Sequence, residues 1–239
     1  MWSKAPLPVS GRIFLLALVV LTSCRQAPEQ PAFPKAHRDV APIVGDSFST
    51  EDARDRLGEA EEVIRLAGVA SGMSVADIGA GEGYYTVRLA PVVGGRGRVL
   101  AEDIVPQTIN TLAQRVHREK LDNVAVILGD PENPKLPEGS FDRIFLVHMY
   151  HEVQSPYAFL WNLREGLKPG GEVILVDADR PPRRHGIPAR MVQCELAALG
   201  LRLVRYQPIT GREAYFAAFR PAAPRPAPSS IKPCALKAG

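Results

Sequence analysis

Between Ser74 and Ile78 the chain reads as a short apolar strand. It runs directly into Gly79-Ala80-Gly81-Glu82-Gly83, and a helix follows, beginning at Tyr84 or Tyr85 and ending near Pro91. This order constrains the fold more than any other feature, because the same alternation repeats along the chain. Arg98 to Ala101 is a second strand, and Pro106, suited to a first helical turn, opens a helix to about Leu121. Val124 to Leu128 and Phe141 to Val147 are strands three and four. Ser155-Pro156 caps a helix carrying Phe159, Leu160, Leu163 and Leu167. Pro169-Gly170-Gly171 turns the chain into a fifth strand, Glu172 to Val176, and Ile187 to Leu199 is a helix with Gly200 just past its end. Upstream, Leu57, Ala60, Val63, Ile64 and Ala67 share one face of a helix over residues 50–67. Two last strands, Leu201 to Gln207 and Glu213 to Phe219, are joined by a turn at Ile209-Thr210-Gly211 that permits only antiparallel pairing. The expected fold is α/β: a doubly wound, seven-stranded, mainly parallel sheet, Rossmann-like, with a C-terminal antiparallel hairpin.

Both ends fall outside that pattern. Lys4 and Arg12 precede an apolar run, Ile13 to Leu21, that is too short to span a bilayer comfortably, so residues 1–23 read as a signal peptide. The run ends in Leu21-Thr22-Ser23-Cys24, which resembles the lipobox of bacterial lipoproteins. That resemblance implies cleavage before Cys24, lipidation of its thiol, and an exported, membrane-anchored protein on the periplasmic side. A plain signal peptide, or an uncleaved anchor, with an incidental cysteine is the other reading, and the protein is cytoplasmic if the signal is not used. Residues 24–45, with Pro28, Pro31, Pro34 and Pro42, read as an extended tether, and residues 221–239 as a disordered proline-rich tail. The folded domain is then residues 46–220.

A formal net charge of +3 is too small to argue for a nucleic-acid partner. The three cysteines, Cys24, Cys194 and Cys234, include no C-x-x-C pair, so no metal site is expected. Pairing of Cys194 with Cys234 stays open for an exported protein, although Cys234 lies in the tail.

In doubly wound sheets ligands bind beyond the carboxyl ends of the strands, which directs attention to the loops after strands one to four. The glycines of the first loop let the backbone approach a ligand closely. A dinucleotide fingerprint would require glycine at position 84, which is Tyr84; the spacing is G-x-G-x-G. Asp77, two residues before the first glycine, suits a cationic or amino-bearing ligand better than a pyrophosphate. Strand two ends in Glu102-Asp103, where a carboxylate can take the two hydroxyls of a ribose. Strand three ends in Gly129-Asp130, where an acid can reach an adenine amino group.

Together these segments resemble the class I S-adenosylmethionine-dependent methyltransferases. Val75 to Tyr85 looks like their first motif, Glu102 to Ile104 like the acidic end of their second strand, and Gly129-Asp130 like their adenine-side acid. Phe141 to Val153 and Leu167 to Asp177 look like their fourth- and fifth-strand segments. The resemblance implies S-adenosyl-L-methionine as cofactor, bound by Asp77, Gly79, Ala80, Gly81 and Gly83 at the methionine end, Asp103 with Ile104 at the ribose, and Asp130 at the adenine. His148 and His151 follow strand four and are the candidate catalytic groups, since an imidazole titrates near neutrality. The basic run Arg180, Arg183, Arg184 with His185 meets an anionic substrate or a lipid headgroup, or else is a solvated loop. The implied activity is methyl transfer to a small-molecule acceptor. An exported binding or sensor domain without catalysis is the alternative.

Overall fold

The computed structural model describes residues 32–43, 51–209, 211 and 213–235. The signal segment and the lipobox-like Cys24 lie outside the described residues. The strands are β1 (Ser74–Ile78), β2 (Arg98–Asp103), β3 (Val124–Leu128), β4 (Phe141–Val147), β5 (Leu167–Ala178), β6 (Leu201–Pro208) and β7 (Ala214–Pro221). They form one seven-stranded sheet in the order β3-β2-β1-β4-β5-β7-β6. β1 to β5 pair in parallel, and β7 runs antiparallel between β5 and β6. This is the expected architecture. The strand order reverses direction between β1 and β4, so the loops leaving those strands open a crevice at their carboxyl ends.

Helices α1 (Glu51–Arg56), α2 (Glu59–Leu66), α3 (Thr86–Val93), α4 (Pro106–Arg118), α5 (Pro156–Glu165) and α6 (Ala189–Ala198) alternate with the strands. Alternate side chains of each central strand point to opposite faces. On one face Ile144, Leu146, Val173 and Leu175 pack with Leu160 and Leu163 of α5 and Val192 and Leu196 of α6. On the other, Val75, Phe145, Ile174 and Val176 pack with Val63, Ile64, Leu89 and Val93.

Several local expectations are corrected. The single helix over 50–67 is two, because Gly58 takes a left-handed φ of 62° and breaks it. Leu57, placed by periodicity on the buried face, is therefore 55% exposed. Pro169-Gly170-Gly171 lies inside β5, at the irregularity where pairing passes from Phe141 with Leu167 to Arg143 with Glu172.

The described part of the expected tether, residues 32–43, is packed down as a strap. Arg38 Nε stands 2.8 Å from Glu195 Oε1 on α6, the Ala41 amide donates to the His151 carbonyl at 3.0 Å, and Phe33 meets Trp161 edge-on. Residues 222–235 are likewise not a loose tail. The Arg225 guanidinium lies 3.4 Å from the Trp161 ring centroid, and the Trp161 indole donates to the Pro226 carbonyl. The Cys234 amide donates to the Tyr157 hydroxyl, and Cys234 is disulfide-bonded to Cys194 of α6. The bridge closes a loop of 40 residues, which in the chain-entropy account is worth about 3–4 kcal/mol. Cys234→Ser is expected to lower urea-unfolding stability by about that amount under non-reducing conditions. Identical melts for variant and parent would rule out the staple.

Candidate active site

The crevice is a cavity of about 750 Å³, within the usual range for cofactor and substrate clefts. The loop after β1 forms its floor. The Ala80 amide donates to the Glu102 carbonyl at 2.8 Å, which ties the loop to the end of β2. Gly83 sits where a Cβ would come within 2.5 Å of the Leu112 side chain of α4, so its glycine serves close packing.

Of the residues expected at the cofactor, Gly79, Ala80, Gly81, Asp103 and Ile104 line the cavity. Asp103 Oδ2 accepts from the Gly81 amide at 3.1 Å and Oδ1 from the Val105 amide at 2.9 Å, which fixes the carboxylate at the loop. The remaining three stand elsewhere. Asp77 is buried beneath the loop and accepts from the Thr86 hydroxyl at 2.6 Å; burial raises its pKa to about 6. Gly83 faces α4. Asp130 is exposed and pairs with Lys135 at 3.0 Å, while its neighbour Pro131 lines the cavity.

Glu102 lies beneath Gly129, where a Cβ would stand 1.7 Å from Oε1. Its Oε1 is buried with no hydrogen-bond partner. Burial, reinforced by the charge of Asp103, pushes its pKa up to about 8. The folded chain therefore holds a proton that the unfolded chain, with a value near 4.5, releases earlier. Stability contributed by this group is full below the unfolded value and is lost as pH rises towards the folded one. Glu102→Gln is expected to flatten that slope and to gain roughly 2–4 kcal/mol over the parent near pH 9, with little difference near pH 5. Thermal melts of both proteins at the two pH values test it, and parallel pH profiles would refute it.

The histidines after β4 both border the cavity, in different states. His148 is partly exposed and has a left-handed φ of 53°; its Nε2 stands 3.2 Å from Glu59 Oε2. Glu59 also accepts from Arg54 and from the Tyr85 hydroxyl, and these partners together with His148 outweigh burial and hold its carboxyl far below the usual range. His151 is buried in the turn Tyr150–Glu152, its Nδ1 2.9 Å from both carboxylate oxygens of Asp177.

The N-terminal helix, one of the two ways the sequence offered for completing the acceptor side, does supply a wall, through residues of α1 that the sequence did not single out. Tyr84 is sandwiched between the guanidinium groups of Arg54, 3.7 Å from the ring centroid, and Arg88, 3.8 Å. Its hydroxyl donates to Asp55, and Arg115 of α4 pairs with Glu51. Glu51 and Arg54 thereby reach the cavity rim. The signal was present in the adjacent tyrosines after the glycine loop, whose rings needed covering. In the basic run, Arg180 and His185 line the cavity, whereas Arg183 points outward to Asp39.

Residues 75–171 match a family model described as a methyltransferase domain. This segment is therefore similar to methyltransferase domains. It spans β1 to the early part of β5, and so includes the glycine loop, Asp103, His148 and His151. Among solved structures, the chain superposes on a SAM-dependent methyltransferase from Aquifex aeolicus with a TM-score of 0.64 and 25% identity, covering 72% of this chain and 98% of that one. Among curated proteins, the chain is 28% identical over 110 residues to a protein-L-isoaspartate O-methyltransferase of Methanothrix thermoacetophila, covering 46% of this chain and 50% of that protein. It is 27% identical over 128 residues to a demethylmenaquinone methyltransferase of a Geobacillus strain, covering 54% and 55%. The chain thus spans about half the length of the curated relatives it matches.

Proposed function

We propose that the chain is an enzyme that binds S-adenosylmethionine in the cavity and methylates a small-molecule acceptor there. The observation that carries the reading is Asp103, a buried carboxylate fixed at the glycine loop with its surface on the cavity. The donor set suits the cofactor: an acid at the end of β2 for the ribose hydroxyls, beside a glycine loop that lets the ligand come close to the backbone. When bound, the cofactor supplies a methyl group already activated on a sulfonium. The chain's own residues then have to bind, align and exclude water. Gly79 to Gly81 and Asp103 with Ile104 hold the cofactor; Glu51 and Arg54 of α1 close one wall. Asp77 acts from below by fixing the loop through Thr86. Adenine recognition, assigned in sequence to Asp130, falls to the Asp130-Pro131 turn.

On the acceptor side, His148 is the proton acceptor. Its Nε2–H donates to the Glu59 carboxylate, leaving Nδ1 with the lone pair, and the ring borders the cavity. His151, the other candidate, is buried and held by Asp177. The relatives' named acceptors differ, so the acceptor panel should contain quinols, isoaspartyl peptides and simple phenols and thiols. We further propose that the protein works outside the cytoplasm, anchored through lipidated Cys24; the Cys194–Cys234 bridge supports an oxidising compartment.

Calorimetry of the full chain with S-adenosylmethionine and with NADH is the test, followed by transfer of labelled methyl to the panel. Saturable binding of the first only, with transfer to at least one acceptor, is expected. Absence of S-adenosylmethionine binding would overturn the reading; binding with transfer to nothing would favour a sensor. Mass spectrometry of Cys24 for acyl chains tests the anchor.

A further inference from the structure

His151 presents a buried nitrogen that the methyl-transfer reading does not use. Its Nδ1 faces both oxygens of Asp177, and Asp177 Oδ1 also accepts from the Ala178 amide, so Nδ1–H is the donor in this contact. Nε2 has no hydrogen-bond partner, although His151 is only 1% exposed. An unsatisfied buried acceptor costs about 1–3 kcal/mol, so its retention needs a reason. Two further ligand-type residues surround it. Glu152 Oε1 lies 3.9 Å from Nε2, and ligand atoms of His151, Glu152 and His185 all lie within 4.8 Å of one another. The His151 and His185 rings stand edge to face, 5.8 Å apart at an interplanar angle of 80°.

We propose that His151, Glu152 and His185 form a site for one divalent transition-metal ion, zinc fitting best, at the acceptor end of the cavity. Ligand atoms about 2.0–2.2 Å from a tetrahedral zinc stand roughly 3.3 Å from one another, so small side-chain rotations close the observed set onto an ion. Two imidazoles and one carboxylate suit zinc and related ions, whereas calcium and magnesium prefer all-oxygen shells. The Asp177–His151 contact is the outer-shell arrangement that fixes a ligating histidine's tautomer and raises its basicity. The scaffold is held from behind: the Ala41 amide of the strap grips the His151 carbonyl, and Arg180 donates to the His185 carbonyl at 3.3 Å. All three ligands line the cavity, which leaves the fourth position facing it, as in zinc sites that bind water or substrate. On the methyl-transfer reading, on which this last point rests, that position selects acceptors carrying a hydroxyl or thiol and favours the anion of the bound group.

The test uses tag-free full-length protein, stripped with chelator and titrated with zinc alone, and separately with cobalt(II) followed by its visible absorption. One ion per chain at micromolar or tighter affinity is expected, with a zinc-dependent rise in Tm. His185→Ala is expected to weaken zinc binding about 100-fold or more, and Asp177→Asn by about 10–100-fold. No saturable binding, or equal affinity in parent and His185→Ala, would overturn the site. Should His185→Ala fail to fold, X-ray absorption of the zinc-loaded parent decides: two imidazole ligands support the site and none refutes it. The same stripped sample titrated with S-adenosylmethionine keeps the two readings apart, because zinc binding without cofactor binding sinks only the methyl-transfer reading.

Discussion

Asp103→Ala is expected to weaken S-adenosylmethionine binding by about 100- to 1,000-fold, since a charge-assisted hydrogen bond to each of two hydroxyls is worth a net of about 1.5–3 kcal/mol and water fills part of the place left by the carboxylate. The carboxylate also accepts from the Gly81 and Val105 amides, so the alanine variant loosens the loop as well as removing a ligand contact. Asp103→Asn separates the two effects. It keeps an acceptor for one amide while losing the charge, and an intermediate affinity, about 10-fold below the parent, is the expected result. Calorimetry reads the affinities and thermal melts read the loop. Unchanged affinity in both variants would remove Asp103 from the cofactor site.

Arg38→Ala is expected to destabilise the protein by about 3–5 kcal/mol. The Arg38 and Glu195 side chains are 4% and 1% exposed, and Tyr150 donates to the second Glu195 oxygen at 2.7 Å. Deleting the guanidinium leaves a buried carboxylate with a phenol as its remaining strong partner in this cluster. The Arg38 contacts to the Tyr150 and Val153 carbonyls are lost with it. The double variant Arg38→Ala/Glu195→Ala should cost less than the sum of the single changes, because the stranded charge is gone. Urea midpoints of the four proteins test this, and a loss below about 1 kcal/mol for Arg38→Ala would refute the account.

How much of this was legible in the chain depends on how local each determinant is. The strands and their helices were readable because each carries its own apolar period, and the glycine loop because its spacing is contiguous. The strap and the C-terminal segment were not. Their proline-rich sequences have no period, and each is held by a few contacts with partners far along the chain: Arg38 with Glu195, Phe33 with Trp161, Cys234 with Cys194. Gly58 was overlooked because one glycine inside an otherwise periodic run is commonly tolerated in a helix, whereas here its left-handed φ ends one. Within the site, sequence position located the loop and both histidines but could not assign facing. Asp77 turns inward to Thr86 and Asp130 outward to Lys135, and only the fold separates them from Asp103, which meets the cavity.

The strap has a practical corollary for anyone shortening the protein. Cutting ahead of residue 46 looks harmless in the sequence, since what is removed reads as a signal peptide and a proline-rich tether before the first strand. Yet that cut would take away Ile43 from the cavity wall, the amide clasp on His151 and the counter-ion of Glu195 in one stroke. The shortened protein would still contain all seven strands and so could pass a circular dichroism check, while its pocket stood open at the back. Inactivity in such a preparation would reflect the missing back wall of the chamber and would say nothing about the chemistry inside it.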